Sequence, residues 1–445
     1  MQSDLNVIVG LGVTGLSCAN YLAAQNVPFA ITDSRKSPPN LSELQKQYPD
    51  VTVSLGKLDE DLLNQASQLI LSPGISLQEP AIAKCIAKGI PVLGDIELFA
   101  LAAKKPIIAI TGTNAKSTVT TLVGEMAKAA GFKTEVGGNL GVPALDLLNT
   151  TDTELYVLEL SSFQLETTRS LQPTVATVLN ITPDHMDRYN TFEDYCRVKR
   201  HIYENCQVAV CNRDDSLTDC GDQFKKEKIA FTLKEPRKNE FGLLKKNNDI
   251  YLAREDQILM PVRELPILGQ QHQANALAAL AIGDGYGFDM QAMLHALTQF
   301  KGLPHRCQLV REHHGVFWYN DSKGTNVGAT LAAIEGLGND TKGKLILIAG
   351  GVGKNADFSP LILPIEKYVK AMVLIGEAAP ILAATMGDRV EVKFAKSMDE
   401  AVAISASLAE REDSVLLSPA CASLDMFKNF EHRGQVFMES VQGLK

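Results

Sequence analysis

The segment Gly10-Leu11-Gly12-Val13-Thr14-Gly15 follows an apolar run and opens a helix-forming stretch, and Asp33 closes the next apolar run. Glycines at this spacing allow a tight turn and let a diphosphate approach backbone amides. The pattern fits a dinucleotide, any nucleotide diphosphate, or a doubly wound turn that holds no ligand; taken alone it suggests an NAD-dependent oxidoreductase. A second loop, I-T-G-T-N-A-K-S-T at 110–118, also lies between an apolar run and a helical one. Its amides and the positive end of a helix starting near Lys116 suit a triphosphate, with Lys116 on the outer phosphates and Ser117 on Mg²⁺. Two places depart from a strict phosphate loop: Ala115 precedes the lysine where glycine is usual, and Ile110 stands at the earlier glycine position. By pattern alone, ATP binding and an incidental T-G-T turn both fit.

These loops need sheets to hold them. Short β-branched runs at 5–10, 28–32, 51–54, 68–71 and 91–93 alternate with amphipathic stretches, which predicts a parallel sheet covered by helices. A second block starts with the strand 106–110 and includes 154–160 and 174–179. Between about 211 and 265 the chain turns polar and lysine-rich, which predicts antiparallel strands added to the central sheet. Helix returns at 271–283, and G-L-P at 302–304 marks a linker. Strands at 316–320, 344–350, 371–375 and 414–417 repeat the α/β theme. The expected fold is α/β in three domains: residues 1–94 Rossmann-like, 95–302 a phosphate-loop ATPase sheet, and 303–445 Rossmann-like again.

Composition narrows the classes. The 445 residues carry 43 Lys+Arg against 52 Asp+Glu, a formal charge of −9, which argues against a general nucleic-acid binder. Hydrophobic residues at 45% and charged residues at 21% are ordinary for a globular chain and exclude disorder. No apolar stretch nears the roughly 18 residues of a membrane span. The start M-Q-S-D-L lacks a positive region followed by an apolar core, so no secretory signal is expected. The eight cysteines include no C-x-x-C pair, so free thiols and a cytoplasmic setting are expected.

Ordered motifs over the whole length then resemble the Mur ligase family. They are G-T-N-A-K-S-T (112–118), G-G-N-L-G (137–141), L-E-L-S-S-F-Q-L-E (158–166), N-I-T-P-D-H-M-D-R-Y (180–189), Y-C-R-V-K-R-H-I-Y (195–203), H-Q-A-N-A-L-A-A (272–279), G-L-P-H-R (302–306), N-D-S-K-G-T-N (320–326) and S-P-A-C-A-S-L-D-M-F-K-N-F-E-H-R-G (418–434). The resemblance implies an ADP-forming amide ligase that activates a nucleotide-linked carboxylate with ATP. The C-terminal motif and the bare 445-residue frame favour D-glutamate as the amine and UDP-N-acetylmuramoyl-L-alanine as the acid. Sister ligases for other amino acids and a folylpolyglutamate synthetase are the near alternatives. An NAD oxidoreductase and a non-catalytic nucleotide sensor are the distant ones.

The resemblance also implies site residues. Catalysis falls to Lys116, Glu159, His185 and Lys199. Two Mg²⁺ ions would be held by Ser117, Glu159, His185 and Lys199, the last as a carbamate made with CO₂. ATP would contact Gly112, Thr113, Asn114, Ala115, Lys116, Ser117, Thr118, Asn275, Arg306, Asp321 and Lys323. The UDP substrate would meet Val13, Thr14, Asp33, Ser34, Ser72, Gly74, Asn139, Ser161 and His185, so the first glycine loop would hold UDP in place of NAD. D-glutamate would meet Thr325, Lys354, Ser423, Leu424 and Phe430. With the three ligands assigned to different domains, the domains of a monomer are expected to close about a hinge near 302–304.

Overall fold

The computed structural model describes residues 4–267 and 269–445, and within them the strands gather into three sheets. The first contains β1 (Asn6–Val9), β2 (Phe29–Asp33), β3 (Val53–Leu55), β4 (Gln68–Leu71) and β5 (Val92–Gly94), parallel in the order β3-β2-β1-β4-β5. Strand order reverses between β1 and β4, and in open α/β sheets such a switch point is where ligands sit. The chain leaves β1 there through the first glycine loop into the helix Val13–Ala24. A Cβ on Gly15 would lie 2.0 Å from the Gly10 carbonyl oxygen, so this helix can close on the strand end only without a side chain.

The second sheet takes β6 (Ile107–Thr111), β7 (Thr134–Gly138), β8 (Leu155–Glu159), β9 (Val175–Val178), β10 (Val208–Asn212), β11 (Glu227–Phe231), β12 (Glu240–Lys246), β13 (Asp249–Arg254) and β14 (Gln257–Pro261). Their order is β14-β13-β12-β11-β10-β9-β6-β8-β7. β6, β8 and β9 are buried along their whole length, as apolar parallel strands covered on both faces must be. One face packs the helices Lys116–Ala129, Gln270–Tyr286 and Met290–Gln299. The other shares an apolar core with the first sheet, in which Ile8, Leu16 and Phe99 join Ala109, Leu158 and Tyr195. The polar stretch after 211 differs from the expected antiparallel appendage in one respect. β11 pairs parallel with both β10 and β12, and only β12, β13 and β14 form an antiparallel meander. The alternation of Glu227–Phe231 looks the same in either pairing, so the sequence did not specify direction.

The third sheet contains β15 (Gln308–His313), β16 (Val316–Asn320), β17 (Leu345–Gly350), β18 (Val369–Ile375), β19 (Glu391–Phe394) and β20 (Ser414–Leu417), in the order β15-β16-β20-β17-β18-β19. All pairs are parallel except the edge strand β15 against β16. Separate cores fill its two faces, one around Ile334, Phe358 and Leu382, the other around Trp318, Val402 and Phe437. All eight cysteines are free. Among the described residues no helix is long and apolar enough to cross a membrane.

Candidate active site

The second loop turns between the end of β6 and the helix Lys116–Ala129, and a neighbouring segment zips it in place. Thr113 N donates to Asn180 O (2.9 Å), Asn114 N to Asn180 Oδ1 (2.8 Å), and Thr182 N to Thr113 Oγ1 (3.0 Å). Tyr195 holds the same threonine hydroxyl at 2.9 Å. Ala115 caps the helix in the left-handed region, with φ +67°. A Cβ in that region costs about 1–2 kcal/mol, which is the strain the missing glycine implies. Ala115→Gly is expected to stabilise the protein by about 1 kcal/mol, read as a rise in Tm, without loss of nucleotide affinity.

Two lysines meet under this loop. Lys116 Nζ donates to the carbonyls of Gly112 (2.9 Å) and Thr113 (2.8 Å), and Lys199 Nζ reaches Gly112 O from the opposite side at 2.8 Å. Lys199 projects from the helix Phe192–Arg200 and is only 1% exposed, while Arg197 and Arg200 on the outer face pair with Asp194 and Glu193. Burial, and then the nearby Lys116 cation, push the Lys199 amine well below the usual lysine value. Lys116 is also lowered by burial, against the pull of Glu159.

Glu159 ends β8 at the C-terminal edge of the sheet and is buried. Its Oε1 accepts from Asn139 Nδ2 at 2.7 Å, whereas Oε2 is buried without a hydrogen-bond partner. A buried carboxylate oxygen of that kind is costly unless a cation faces it. Gly138 (φ +96°) permits the approach of the Asn139 segment, because a Cβ there would lie 2.5 Å from the Glu159 carbonyl. Ser117 Oγ sits nearby and accepts from Arg306 Nη2 at 2.9 Å, a contact from the third domain to the phosphate loop. An unpaired buried carboxylate oxygen and a hydroxyl beside a phosphate loop fit a hard cation such as Mg²⁺.

His185, Asp184, Thr325, Asn326 and Lys354 line one cavity of about 460 Å³ between the second and third domains. His185 takes φ +57°, its backbone N–H donates to Asp184 Oδ1 (2.9 Å), and its ring meets Phe163 edge-on at 4.7 Å. Burial lowers its imidazole pKa, and the Lys354 and Lys116 cations push the same way against Asp184, so the ring is neutral at pH 7. Asn326 Nδ2 donates to both Asn114 Oδ1 and Asp184 Oδ2 at 3.1 Å, tying the third domain to the loop and to the His185 segment. Ser423, Leu424 and Phe430 do not line this cavity. Ser423 is buried at the start of a turn, Leu424 is 71% exposed, and the Phe430 ring lies 3.7 Å from Lys323 Nζ.

A second cavity of about 160 Å³ is lined by Asn114, Ala115, Thr118, Asn275, Arg306, Asp321 and Lys323, which brings these seven expected residues together. Gln271 and His272 line it too; the 272–279 motif opens on His272 without marking it, and Gln271 directly precedes that motif. Burial lowers Lys323 to about 8 and raises Asp321 to about 6, where it accepts from Ser418 Oγ (2.7 Å) and Cys307 N (3.2 Å). Asp321 is therefore protonated below about pH 6 and an anion above it. Nucleotide affinity is expected to weaken as the pH falls through 6, because the protonated acid accepts fewer hydrogen bonds from ribose hydroxyls. Equilibrium titration of wild type and Asp321→Asn checks this: the variant should lose that pH dependence.

Around the first glycine loop, Asp33 and Ser72 act as braces. Asp33 Oδ2 accepts from Leu11 N (2.7 Å), Oδ1 from Arg35 N (2.8 Å), and the Arg35 guanidinium closes a salt bridge at 2.6 Å. Ser72 Oγ donates to Gly10 O at 2.7 Å. Val13, Ser34 and Gly74 are exposed around the braced loop, with Thr14 half-buried. Both oxygens of Asp33 are engaged, and Arg35 brings a cation to the loop; a diphosphate suits this better than a ribose pair seeking a free carboxylate. Ser161 forms a capping box with Gln164, whose amide reaches Asp95 Oδ2 at 2.9 Å, so its hydroxyl is occupied locally.

Arg188 is a residue the sequence did not flag. It donates to Pro73 O (2.9 Å) and Ile75 O (3.2 Å) beside Gly74, pairs with Glu166 at 2.7 Å, and lies over Phe163 at 4.1 Å. Through Phe163 it links the first domain's loop to His185. Arg188→Ala is expected to raise KM for the first-domain ligand by about tenfold or more, with KM for ATP unchanged, in initial-rate assays. The D-H-M-D-R run offered Arg188 as a signal, but only the fold reveals the carbonyls it reaches.

Family models match the chain in three successive parts: a Mur ligase MurD-like N-terminal domain over residues 4–94, a Mur ligase middle domain over 110–283, and a Mur ligase glutamate ligase domain over 305–421. The chain is 54% identical to a UDP-N-acetylmuramoylalanine–D-glutamate ligase of Pseudomonas savastanoi, over 100% of this chain and 99% of that one. A protein of the same name from Coxiella burnetii is 53% identical over 100% of both chains. Among solved structures, the UDP-N-acetylmuramate–alanine ligase of Thermotoga maritima superposes with a TM-score of 0.63 at 17% identity, over 99% of each chain. The folylpolyglutamate synthase of Mycobacterium tuberculosis gives 0.61 at 15% identity, over 79% of this chain and 95% of its own.

Proposed function

Since this chain belongs to the Mur ligase family, we propose that it joins D-glutamate to UDP-N-acetylmuramoyl-L-alanine, with ATP going to ADP and phosphate, as a step in making peptidoglycan precursors. The observation that carries the reading is convergence. Lys116, Glu159 and Lys199 crowd the phosphate loop, and His185 shares a cavity with Lys354 while feeling the charge of Lys116.

The alanyl carboxylate is a poor electrophile. Its oxygen attacks the γ-phosphorus of ATP, ADP leaves, and the acyl phosphate gains a good leaving group. The amine of D-glutamate then attacks the carbonyl carbon, and the tetrahedral intermediate expels phosphate to leave the amide. Such steps depend on positioning and on neutralising phosphate charge. Lys116 leaves the Gly112 and Thr113 carbonyls to pair with outer phosphates, Asn114 to Thr118 supply loop contacts, and Arg306 neutralises charge from the third domain. Asn275, Asp321 and Lys323 hold adenosine. Mg²⁺ supplies further neutralisation when bound, and Ser117, Glu159, His185 and a carbamate on Lys199 would hold two ions.

Asn139 fixes Glu159 Oε1, which leaves the unpaired Oε2 for the metal. Val13, Thr14, Ser34 and Gly74 receive the UDP moiety on a loop braced by Asp33 and Ser72. Lys354 and Thr325 receive the carboxylates of D-glutamate. Ser423, Leu424 and Phe430 lie outside that cavity in this arrangement, so they are assigned no contact in it. A cytoplasmic reaction is part of this reading, supported by its nucleotide-linked substrates, and a monomer is supported by a site whose residues all come from one chain. The test is phosphate release from ATP with UDP-N-acetylmuramoyl-L-alanine and a panel of amines. Release confined to D-glutamate is expected. Release with L-alanine or a diamino acid would move the chain to a sister activity, and release with none would remove the assignment.

A further inference from the structure

Away from these cavities, two thiols and a carboxylate converge. Cys211 lies on β10, and Asp219 and Cys220 follow the short turn Ser216–Thr218; their two sulfurs and a carboxylate oxygen all lie within 4.8 Å of one another. Cys220 is buried, Cys211 is half-buried and Asp219 is exposed, so the cluster opens to solvent on its carboxylate side. We propose that Cys211, Asp219 and Cys220 form a binding site for one thiophilic divalent cation of the zinc type, with water as the fourth ligand. Tetrahedral zinc with Zn–S bonds of about 2.3 Å places two sulfurs about 3.8 Å apart, so the ligands need to close by no more than about 1 Å.

Cys211 Sγ donates to Tyr203 Oη at 3.8 Å, and each thiol that binds the cation gives up its proton to solvent. The proposed ligase chemistry uses neither cysteine. The turn they close nonetheless supports the segment leading to His185. Tyr203 Oη accepts from Val178 N (2.9 Å) and donates to Thr218 O (3.1 Å), Asn212 Nδ2 donates to Leu179 O (3.0 Å), and Asp215 Oδ2 accepts from Ile181 N (2.8 Å). A cation at this turn would stiffen that support.

The full-length, reduced protein is titrated with Cd²⁺ in excess Mg²⁺, and the ultraviolet thiolate-to-cadmium charge-transfer band is followed; it reports sulfur ligation only. One equivalent is expected to saturate the band, and Zn²⁺ is expected to remove it. Cys211→Ser with Cys220→Ser should abolish it, and Cys85→Ala should leave it intact. Asp219→Asn, at an exposed position that spares the fold, should weaken Cd²⁺ affinity by about tenfold or more. A band that survives the double serine variant, an affinity unchanged in Asp219→Asn, no band at all, or recovery of the pair only as a disulfide would each overturn the site.

Discussion

Glu159→Gln lowers the rate of D-glutamate-dependent phosphate release by about 10³-fold or more and leaves the fold unchanged. The expectation follows from the asymmetry of the carboxylate. Oε1 is already fixed by Asn139, while Oε2 is buried and has no hydrogen-bond partner. An amide keeps the shape and can still accept from Asn139, but it removes the negative charge a hard cation needs. The amide nitrogen takes the place of the unpaired oxygen at equal size, so Tm should change far less than the rate, while Mg²⁺ dependence disappears. Steady-state phosphate release and a thermal melt, both across a Mg²⁺ series, separate the two effects. Wild-type turnover in the variant would remove Glu159 from the metal site.

The second large effect is at Lys199. Burial and the neighbouring Lys116 hold its amine well below the usual lysine value, so more of it is uncharged than of a solvated lysine at the same pH. Only the uncharged amine reacts with CO₂, giving a carbamate and releasing one proton. The sign is therefore favourable: depression of the pKa promotes the modification that a solvated lysine would resist. Lys199→Ala is expected to lose about 10²–10³-fold in turnover. Wild type stripped of CO₂ and bicarbonate should fall toward the same floor and recover when bicarbonate returns, a response the variant lacks. Native mass spectrometry should show the carbamate mass lost on acidification. An enzyme equally active with Lys199 bare would contradict this role.

Much of the architecture was legible because local pattern and global fold agree. The apolar runs ending at Val9, Thr111 and Glu159 are strands whose C-terminal ends carry the loops singled out by composition. Ala115 was legible as an anomaly, and its φ of +67° is the strain that a missing glycine implies. Lys199 was ambiguous, since Arg197, Arg200 and His201 around it read as a solvated basic face. The helix turns those arginines to solvent and drives Lys199 inward, which depends on which face meets the phosphate loop. Other features were beyond one-dimensional reading. The Asp33 oxygens are spent on Leu11 and Arg35, Arg188 reaches carbonyls more than a hundred residues away, and β11 takes a parallel partner that its alternation leaves open. Each is set by which chain segment arrives alongside, and a contact between distant segments leaves no local signature.

The central claim is that the acid is activated by direct transfer of phosphate from ATP at the junction of the three domains. The most direct measurement uses UDP-N-acetylmuramoyl-L-alanine carrying ¹⁸O in its alanyl carboxylate, turned over with ATP and D-glutamate, with the released phosphate analysed by mass. One labelled oxygen is expected in each phosphate formed, since the acyl phosphate breaks at its carbonyl carbon. Unlabelled phosphate, with amide product still appearing, would contradict it.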